Sequence, residues 1–510
     1  MTSESVFGWS SPNLDLHALA PLIVVAATIL VLIVVDLLTS ERSRWTASSI
    51  AGIGLLAAAV PIATLAYDGV DRVMFGGGFV VDRYALVLQA LFIAAGYIVV
   101  LLSTNYIAEG DYWEGEYYTL LLSSVLGMMV MACARDLISI FVALELVSIP
   151  AYMLAAWRKR GADSNEAGLK YYLMGVFASA VLLYGMSIVF GITGSTLLYD
   201  IGEGLGSYVT SQPIITLGIA FVLIGFAFKV SAVPFHTWAP DTYEGAPTPV
   251  TSFLAVASKA AGFVAILNVL FVGFYGRSDV WQPLMWVLAA LTMTVGNLIA
   301  LRQTNVVRML AYSGIAQAGY ILAPLAVAGA STFTGEDALR SVVIYLLVYA
   351  AMNLGAFAVV IAVARKTRSA QISSFGGLFS YAPGLTVCMT VFLFSLAGIP
   401  PAAGWFAKLS IFSSLTSAGT TWGYVLAVVV GVNSVVAFGY YGRLLRTMWM
   451  SEVPDGDRTP IRVPASLVFA LVITIGFTIA WGVLPGLLTH FTDQVTLFFA
   501  AGRGAFGIVM

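Results

Sequence analysis

A handful of ionisable side chains stand inside runs that otherwise read as hydrocarbon. Lys229 lies in GFAFKVSAVPFH, Glu145 in FVALELVSIPAYML, Lys259 in FLAVASKAAGF and Lys408 in GIPPAAGWFAKLSIF. A lysine at the centre of a bilayer costs about 2.5–3.5 kcal/mol on insertion scales, so such residues read by default as part of an ion or proton path. Loss of water favours the neutral form of an amine or an acid, and a nearby opposite charge favours the charged form. A Glu145–Lys229 pair would therefore act as a switch. Paired, the lysine keeps its proton; separated, it releases it. Lys229 is the leading candidate for the central carrier, Lys259 extends the series, and Lys408 fits a terminal carrier. Each has a plainer alternative: a packing carboxylate bonded to hydroxyls such as Ser148, a structural ion pair, or a lysine that snorkels to the surface.

Supporting groups surround these. His236 follows Pro234 and can relay protons near neutral pH, or simply cap a helix. Tyr243, Tyr312 and Gln317, with Ser258, Ser313, Asn353 and Asn433, can hold water between carriers or make interhelical hydrogen bonds. Asp241 and Glu244 fall in PDTYEGAPTP, which reads as a polar loop with solvated acids.

The elements that must position these groups are membrane spans. The chain has 510 residues, 60% hydrophobic and 10% charged. That composition describes a membrane protein throughout, with no soluble domain. About fourteen apolar runs approach the ~20 residues needed to cross a bilayer: 17–38, 46–67, 84–103, 116–134, 137–157, 170–191, 212–235, 249–273, 281–301, 305–327, 340–363, 383–417, 423–446 and 465–486. Pro234 and Pro400 predict that the seventh and twelfth spans are discontinuous. FKVSAVP (228–234) and FSLAGIP (394–400) recur at an offset of about 166 residues, five spans apart. An odd repeat flips orientation, so two inverted five-span units are expected, at spans 4–8 (116–273) and 9–13 (281–446). Residues 1–115 and 465–510 flank them. Broken helices in inverted repeats are a common way to build an ion site.

Basic residues set the orientation. With the N-terminus outside, Arg42, Arg44, Arg158, Lys159, Arg160, Lys170, Arg302, Arg308, Arg365, Lys366, Arg368, Arg443, Arg446, Arg458 and Arg462 lie inside. Only Arg72, Arg83, Arg135, Arg277, Arg340 and Arg503 lie outside. Both termini are then external. Residues 104–116 are off-pattern, with Glu109, Asp111, Glu114 and Glu116 inside and no basic residue. The acidic start (Glu4, Asp15) offers no signal-peptide n-region.

Other chemistries find little support. Net charge −2 gives no hint of nucleic-acid binding. Cys133 and Cys388 stand alone, and no His/Cys/Asp/Glu set has metal spacing. GEGLG (202–206), in an outside loop, opens no strand–turn–helix unit, so a dinucleotide site is not expected. GGG (76–78) reads as a turn.

The run HTWAPDTYEGAPTPVTSFLAVASKAAGF with FK upstream, together with FVALELVSIPAYML, LRQTNVVRMLAYSGIAQAGY and GIPPAAGWFAKLSIF, resembles the antiporter-like subunits of respiratory complex I. VASKAAGF is similar to the subunit N (subunit 2) branch, and Lys408 stands where subunit M usually has glutamate. The family often has histidine where this chain has Gln317. The resemblance implies an all-α polytopic fold and assigns proton transfer to Glu145, Lys229, Lys259 and Lys408. It implies no cofactor in this chain, with NADH, FMN, iron–sulfur clusters and quinone held by partner subunits. A subunit M-like neighbour is expected beside the second repeat, and small subunits of the K, J and A type beside the first. The expected setting is a bacterial inner membrane. The rivals are a subunit of a multisubunit sodium/proton antiporter, which shares the fold and its lysines, and a non-conducting membrane scaffold.

Overall fold

A computed structural model describes residues 14–38, 45–110, 114–159, 161–207, 212–329 and 332–493, with 495 and 497. Glu4, Arg42, Arg44, Asp111, Arg160 and Arg503 lie outside these residues. In chain order the first elements are α1 (Leu16–Leu38), α2 (Thr46–Asp68), a hairpin of β1 (Arg72–Met74) and β2 (Phe79–Val81), α3 (Arg83–Glu109), α4 (Glu114–Cys133), α5 (Leu137–Ala155) and α6 (Ala162–Thr193). Then come α7 (Leu198–Gly206), α8 (Pro213–Lys229), α9 (Trp238–Gly245), α10 (Thr248–Phe253) and α11 (Lys259–Asn268). The rest are α12 (Ser278–Ala300), α13 (Val306–Leu322), α14 (Thr332–Thr367), α15 (Leu378–Tyr381), α16 (Pro383–Ala397), α17 (Gly404–Ser417), α18 (Thr421–Met450), α19 (Ala465–Val483) and α20 (Pro485–Thr492).

Among the described residues, 12 helical segments are long and apolar enough to span a membrane. The expected seventh and twelfth spans are not among them. Each is cut in two: α8 and α16 are short apolar helices, followed by breaks at Val230–Thr237 and Gly398–Ala403. Proline accounts for both stops, since it offers no N–H and its ring clashes with the preceding turn. Ser231 (φ 58°) and Gly398 (φ 90°) turn the chain out of the helix. The freed backbone groups are not orphaned. Val233 N donates to Thr292 Oγ1 of α12 (2.9 Å), and Trp238 Nε1 donates to Phe228 O (3.0 Å).

Local capping explains the other ends. Asp82 accepts from Ala85 N at the start of α3, Asp136 from Ser139 N at α5, Asn305 from Val307 and Arg308 N at α13, and Thr420 from Gly423 N at α18. Glycines let helices meet backbone to backbone. A Cβ on Gly296 of α12 would lie 2.7 Å from Ala316 N of α13.

The expected eighth span runs from Thr248 to Gly273 and is the axis of the bundle. Residues 249–274 are buried throughout. It is not a uniform α-helix: Leu254–Ser258 and Val269–Gly273 are π-helical turns, and the first immediately precedes Lys259. Such turns are frequent at functional sites. The outer helices keep wide apolar faces, with Phe177 of α6 72% and Val435 of α18 75% exposed, as a surface in contact with lipid or other subunits requires.

Two readings of the sequence are corrected. PDTYEGAPTP is not a loop, because its first half forms α9. With Pro240 in its first turn and Gly245 at its end, that helix carries two breaker residues in eight, so it reads as coil. GEGLG lies within α7 rather than a loop. Two of the off-pattern acids form ion pairs: Glu109 binds Arg365 at the end of α14, and Glu116 lies 3.6 Å from Lys159. GGG forms the turn of the small hairpin, with Gly76 and Gly77 at positive φ.

Candidate functional site

The three lysines are buried at 4% (Lys229), 2% (Lys259) and 9% (Lys408) exposure, so none snorkels to the surface. Each amine is held by a neutral acceptor.

Lys229 is the last residue of α8, beside the break. Its Nζ donates to Ser148 Oγ of α5 (2.8 Å) and reaches Tyr171 OH of α6 (3.4 Å). Tyr171 stacks on Trp238, with ring centroids 4.4 Å apart. Glu145 lies one turn before Ser148 on α5 and is half-buried. Its carboxylate accepts from Ser179 Oγ of α6 (2.6 Å). The expected Glu145–Lys229 ion pair is not formed. Ser148 occupies the lysine and Ser179 the acid, so the structure holds the separated arrangement.

Lys259 donates to Gly314 O of α13 (2.7 Å). Gly314 makes this approach possible. A Cβ there would lie 2.9 Å from Tyr349 Oη and 3.3 Å from Lys259 Nζ. Tyr349 accepts from Asn353 (3.0 Å) on the same face of α14. Ser313 bonds Tyr441 OH (2.5 Å).

Gln317, fully buried, carries the connection onward. Its amide nitrogen donates to Leu396 O (3.2 Å) and Tyr441 OH (3.4 Å), and its oxygen accepts from Tyr345. Leu396 ends in the carbonyl next to that of Ala397, and Ala397 O accepts from Lys408 Nζ (2.9 Å). Both carbonyls belong to the C-terminal end of α16, where the helix dipole is negative. Lys408 also sits 4.6 Å from the centroid of the Tyr320 ring. Tyr320 is tied through Asn297 to Tyr440 and Asn433.

Around the first break, Ser231 Oγ, His236 Nδ1, Thr242 Oγ1 and Tyr243 OH are buried without a protein partner. Buried polar atoms of this kind are normally satisfied by ordered water. His236 lies within the first break and Tyr243 on α9, the helix that follows it. Tyr312 is half-buried, and among the described residues its hydroxyl has no hydrogen bond joining it to the lysines.

Asp241 and Glu244 on α9 are not free. Asp241 accepts from Lys170 Nζ (3.0 Å) and pairs with Arg308 (2.9 Å). Glu244 binds Arg308 (2.8 Å) and Asn305 (3.2 Å). Burial works to raise the Asp241 pKa, but the bonds from Lys170 and Arg308 outweigh it and hold the carboxyl below its usual value.

Sequence reasoning missed Tyr171, Ser179, Gly314, Tyr345, Tyr349 and Tyr441. The tyrosines of α14 left a signal: Tyr345, Tyr349 and Asn353 recur every four residues and so share one face. Gly314 left none. Among the described residues no group of three or more His, Cys, Asp or Glu could hold a metal ion.

The fold is that of a polytopic membrane protein of the all-α, antiporter-like class, with one small hairpin. Residues 134–434 match the family described as NADH:quinone oxidoreductase/Mrp antiporter, transmembrane region, and the chain belongs to that family, in its subunit N branch. It is similar to NADH-quinone oxidoreductase subunit N of Trichlorobacter lovleyi, 38% identical over 488 residues, covering 94% of this chain and 97% of that one. Among solved structures it is similar to a chain of respiratory complex I from Thermus thermophilus with bound aureothin (30% identity, TM-score 0.77, 93% of this chain and 100% of that chain). The Mrp complex from Dietzia sp. contains a chain of like fold (22% identity, TM-score 0.82, 94% and 97% coverage).

Proposed function

We propose that this chain is a proton-translocating membrane subunit of an NADH–quinone oxidoreductase, with Glu145, Lys229, Lys259 and Lys408 as its proton carriers. The observation that carries this reading is Lys229. It is a buried lysine at a helix break, held by a hydroxyl one turn from a carboxylate that it does not yet pair with. Quinone reduction elsewhere in the complex changes the field at Glu145. Glu145 then draws or releases the Lys229 amine, and a proton passes by way of Lys259 toward Lys408. Hydroxyls of Tyr349, Ser313, Tyr441 and Tyr345, oriented by Gln317, carry the later part of the route together with water. His236 and Tyr243 hold water at the first break.

Two inverted five-helix units, 116–273 and 281–446, account for the matching sequence runs at the two breaks. NADH, FMN, iron–sulfur clusters and quinone belong to partner subunits. An M-type subunit beside the second unit and small K-, J- and A-type subunits beside the first are the proposed neighbours. The proposed setting is a bacterial inner membrane with both termini outside.

The test begins with a tagged chain purified gently from native membranes. Flavin and iron–sulfur absorbance with NADH–quinone turnover is expected. An intact assembly without them would overturn the assignment in favour of a sodium/proton antiporter. Lys229→Ala in the assembled enzyme should then abolish or sharply reduce pumping, and full pumping would overturn the carrier assignment.

A further inference from the structure

α9 lies between the two halves of the proton route and is gripped at both ends. At its first residue, Trp238 stacks on Tyr171, which contacts Lys229, and bonds Phe228 O, one residue before Lys229. Asp241 in its first turn and Glu244 near its far end share Arg308 of α13, and Glu244 also binds Asn305, the N-cap of α13. Lys170, the neighbour of Tyr171 on α6, holds Asp241 from the other side. Arg308 lies six residues before Gly314, about 9 Å along α13 at 1.5 Å per residue, and Gly314 O is the acceptor of Lys259. One rigid helical turn pair therefore links the site of Lys229 to the acceptor of Lys259. Thr251 Oγ1 of α10 also bonds Tyr243 O of α9 (2.8 Å), on the span that carries Lys259.

We propose that α9 is a coupling strut, and that Asp241 and Arg308 are positioning residues through which movement of the Lys229 break shifts α13 and its Gly314 carbonyl. This rests on the carrier reading of Lys229 and Lys259. The pairs are about one-third exposed (Asp241 37%, Arg308 31%). Exposed ion pairs contribute little to stability. Their concentration between two carrier sites is better explained by transmission.

The test uses the complete enzyme in sealed vesicles and reads protons pumped per NADH oxidised alongside NADH–quinone turnover. The variants are Asp241→Asn, Arg308→Gln, their double, and Asp241→Glu, with Lys229→Ala as reference. The expected result is that each single variant loses at least half of what Lys229→Ala loses in the pumping ratio, while turnover stays within about twofold. The double should lose no more than the worse single, and Asp241→Glu should restore the ratio. A purely structural role would lower enzyme amount and leave the ratio unchanged, which would overturn the strut. So would losses that add in the double variant. Full pumping in both single variants, with Lys229→Ala defective, overturns the strut and leaves the carriers standing. Full pumping by Lys229→Ala overturns the carriers and the strut with them. Should Asp241→Asn fail to assemble, Arg308→Gln is read alone by the same criterion.

Discussion

Ser148→Ala is the most direct probe of the Lys229 switch. The hydroxyl accepts the 2.8 Å bond from Lys229 Nζ; without it the amine keeps only the 3.4 Å contact to Tyr171, at the weak end of hydrogen bonding. A hydrogen bond to a charged group is worth about 1.5–3 kcal/mol. Glu145 stands three residues earlier on the same helix, where Cβ atoms are about 5–6 Å apart. A carboxylate drawn to about 5 Å from the ammonium would attract it by about 3 kcal/mol at an effective dielectric near 20. The two pulls are comparable, so the lysine is balanced between them. Deleting the hydroxyl shifts that balance toward Glu145 by roughly 10- to 150-fold, at 1.4 kcal/mol per tenfold. The lysine then stays paired and keeps its proton. In sealed vesicles, protons pumped per NADH should fall toward the Lys229→Ala value, while NADH–quinone turnover stays within about twofold. Ser148→Thr, which keeps the hydroxyl, should pump normally. A Ser148→Ala enzyme that pumps at the full ratio, beside a defective Lys229→Ala, would show that the hydroxyl does not hold the switch.

Gly314→Ala sets a methyl 3.3 Å from Lys259 Nζ and 2.9 Å from Tyr349 Oη. Displacing the amine from its carbonyl forfeits up to about 1.5–3 kcal/mol, so single-turnover proton uptake linked to this subunit should slow by as much as ~100-fold; an unchanged rate would reject the cradle. Gln317→Leu strips Leu396 O and Tyr345 OH of their partner, which costs roughly 1–3 kcal/mol of buried desolvation; a lower thermal midpoint of the isolated complex and a reduced pumping ratio are expected, and neither changing would reject the bridge. Asp241 has a carboxyl held below its usual value, so its contacts contribute above the unfolded value near 3.9 and are lost only as pH falls through the lower folded one. The Asp241→Asn defect, as a fraction of wild-type pumping, should therefore be flat from about pH 6 to 8; a defect that vanishes within that range would contradict the sign.

The spans and their breaks were legible because apolar length and proline are local signals. The buried lysines were legible because charge stands out in hydrocarbon. Their partners were not. Whether Lys229 meets Glu145 or Ser148 depends on the rotation of α5 against α8, and both residues lie on the same face at a three-residue spacing. α9 hid behind Pro240 and Gly245, and its acids looked solvated because their partners, Lys170 and Arg308, lie far away in sequence. Gly314 matters for what it lacks, and glycine is frequent throughout this chain. The stripe Tyr345, Tyr349, Asn353 was readable at its four-residue period, but a shared helix face does not say which neighbouring helix it meets.

The three amines differ in a way that bears on direction. Only Lys229 has a carboxylate, Glu145, one turn from its acceptor. That carboxylate can draw the amine toward it, so the balance at Lys229 can be altered by electrostatics alone. Lys259 and Lys408 are held by the carbonyls of Gly314 and Ala397. A carbonyl dipole cannot be titrated away at physiological pH. It can only be moved, by shifting the helix that carries it. In the proposed mechanism the first step is therefore electrical and the later steps are mechanical. A charge change at α5 would act first at the α8 break, and α13 and the end of α16 would then respond by distance. Adding a carboxylate near Lys408 would make that site electrically responsive too, and should weaken the dependence of its proton transfer on events at Glu145.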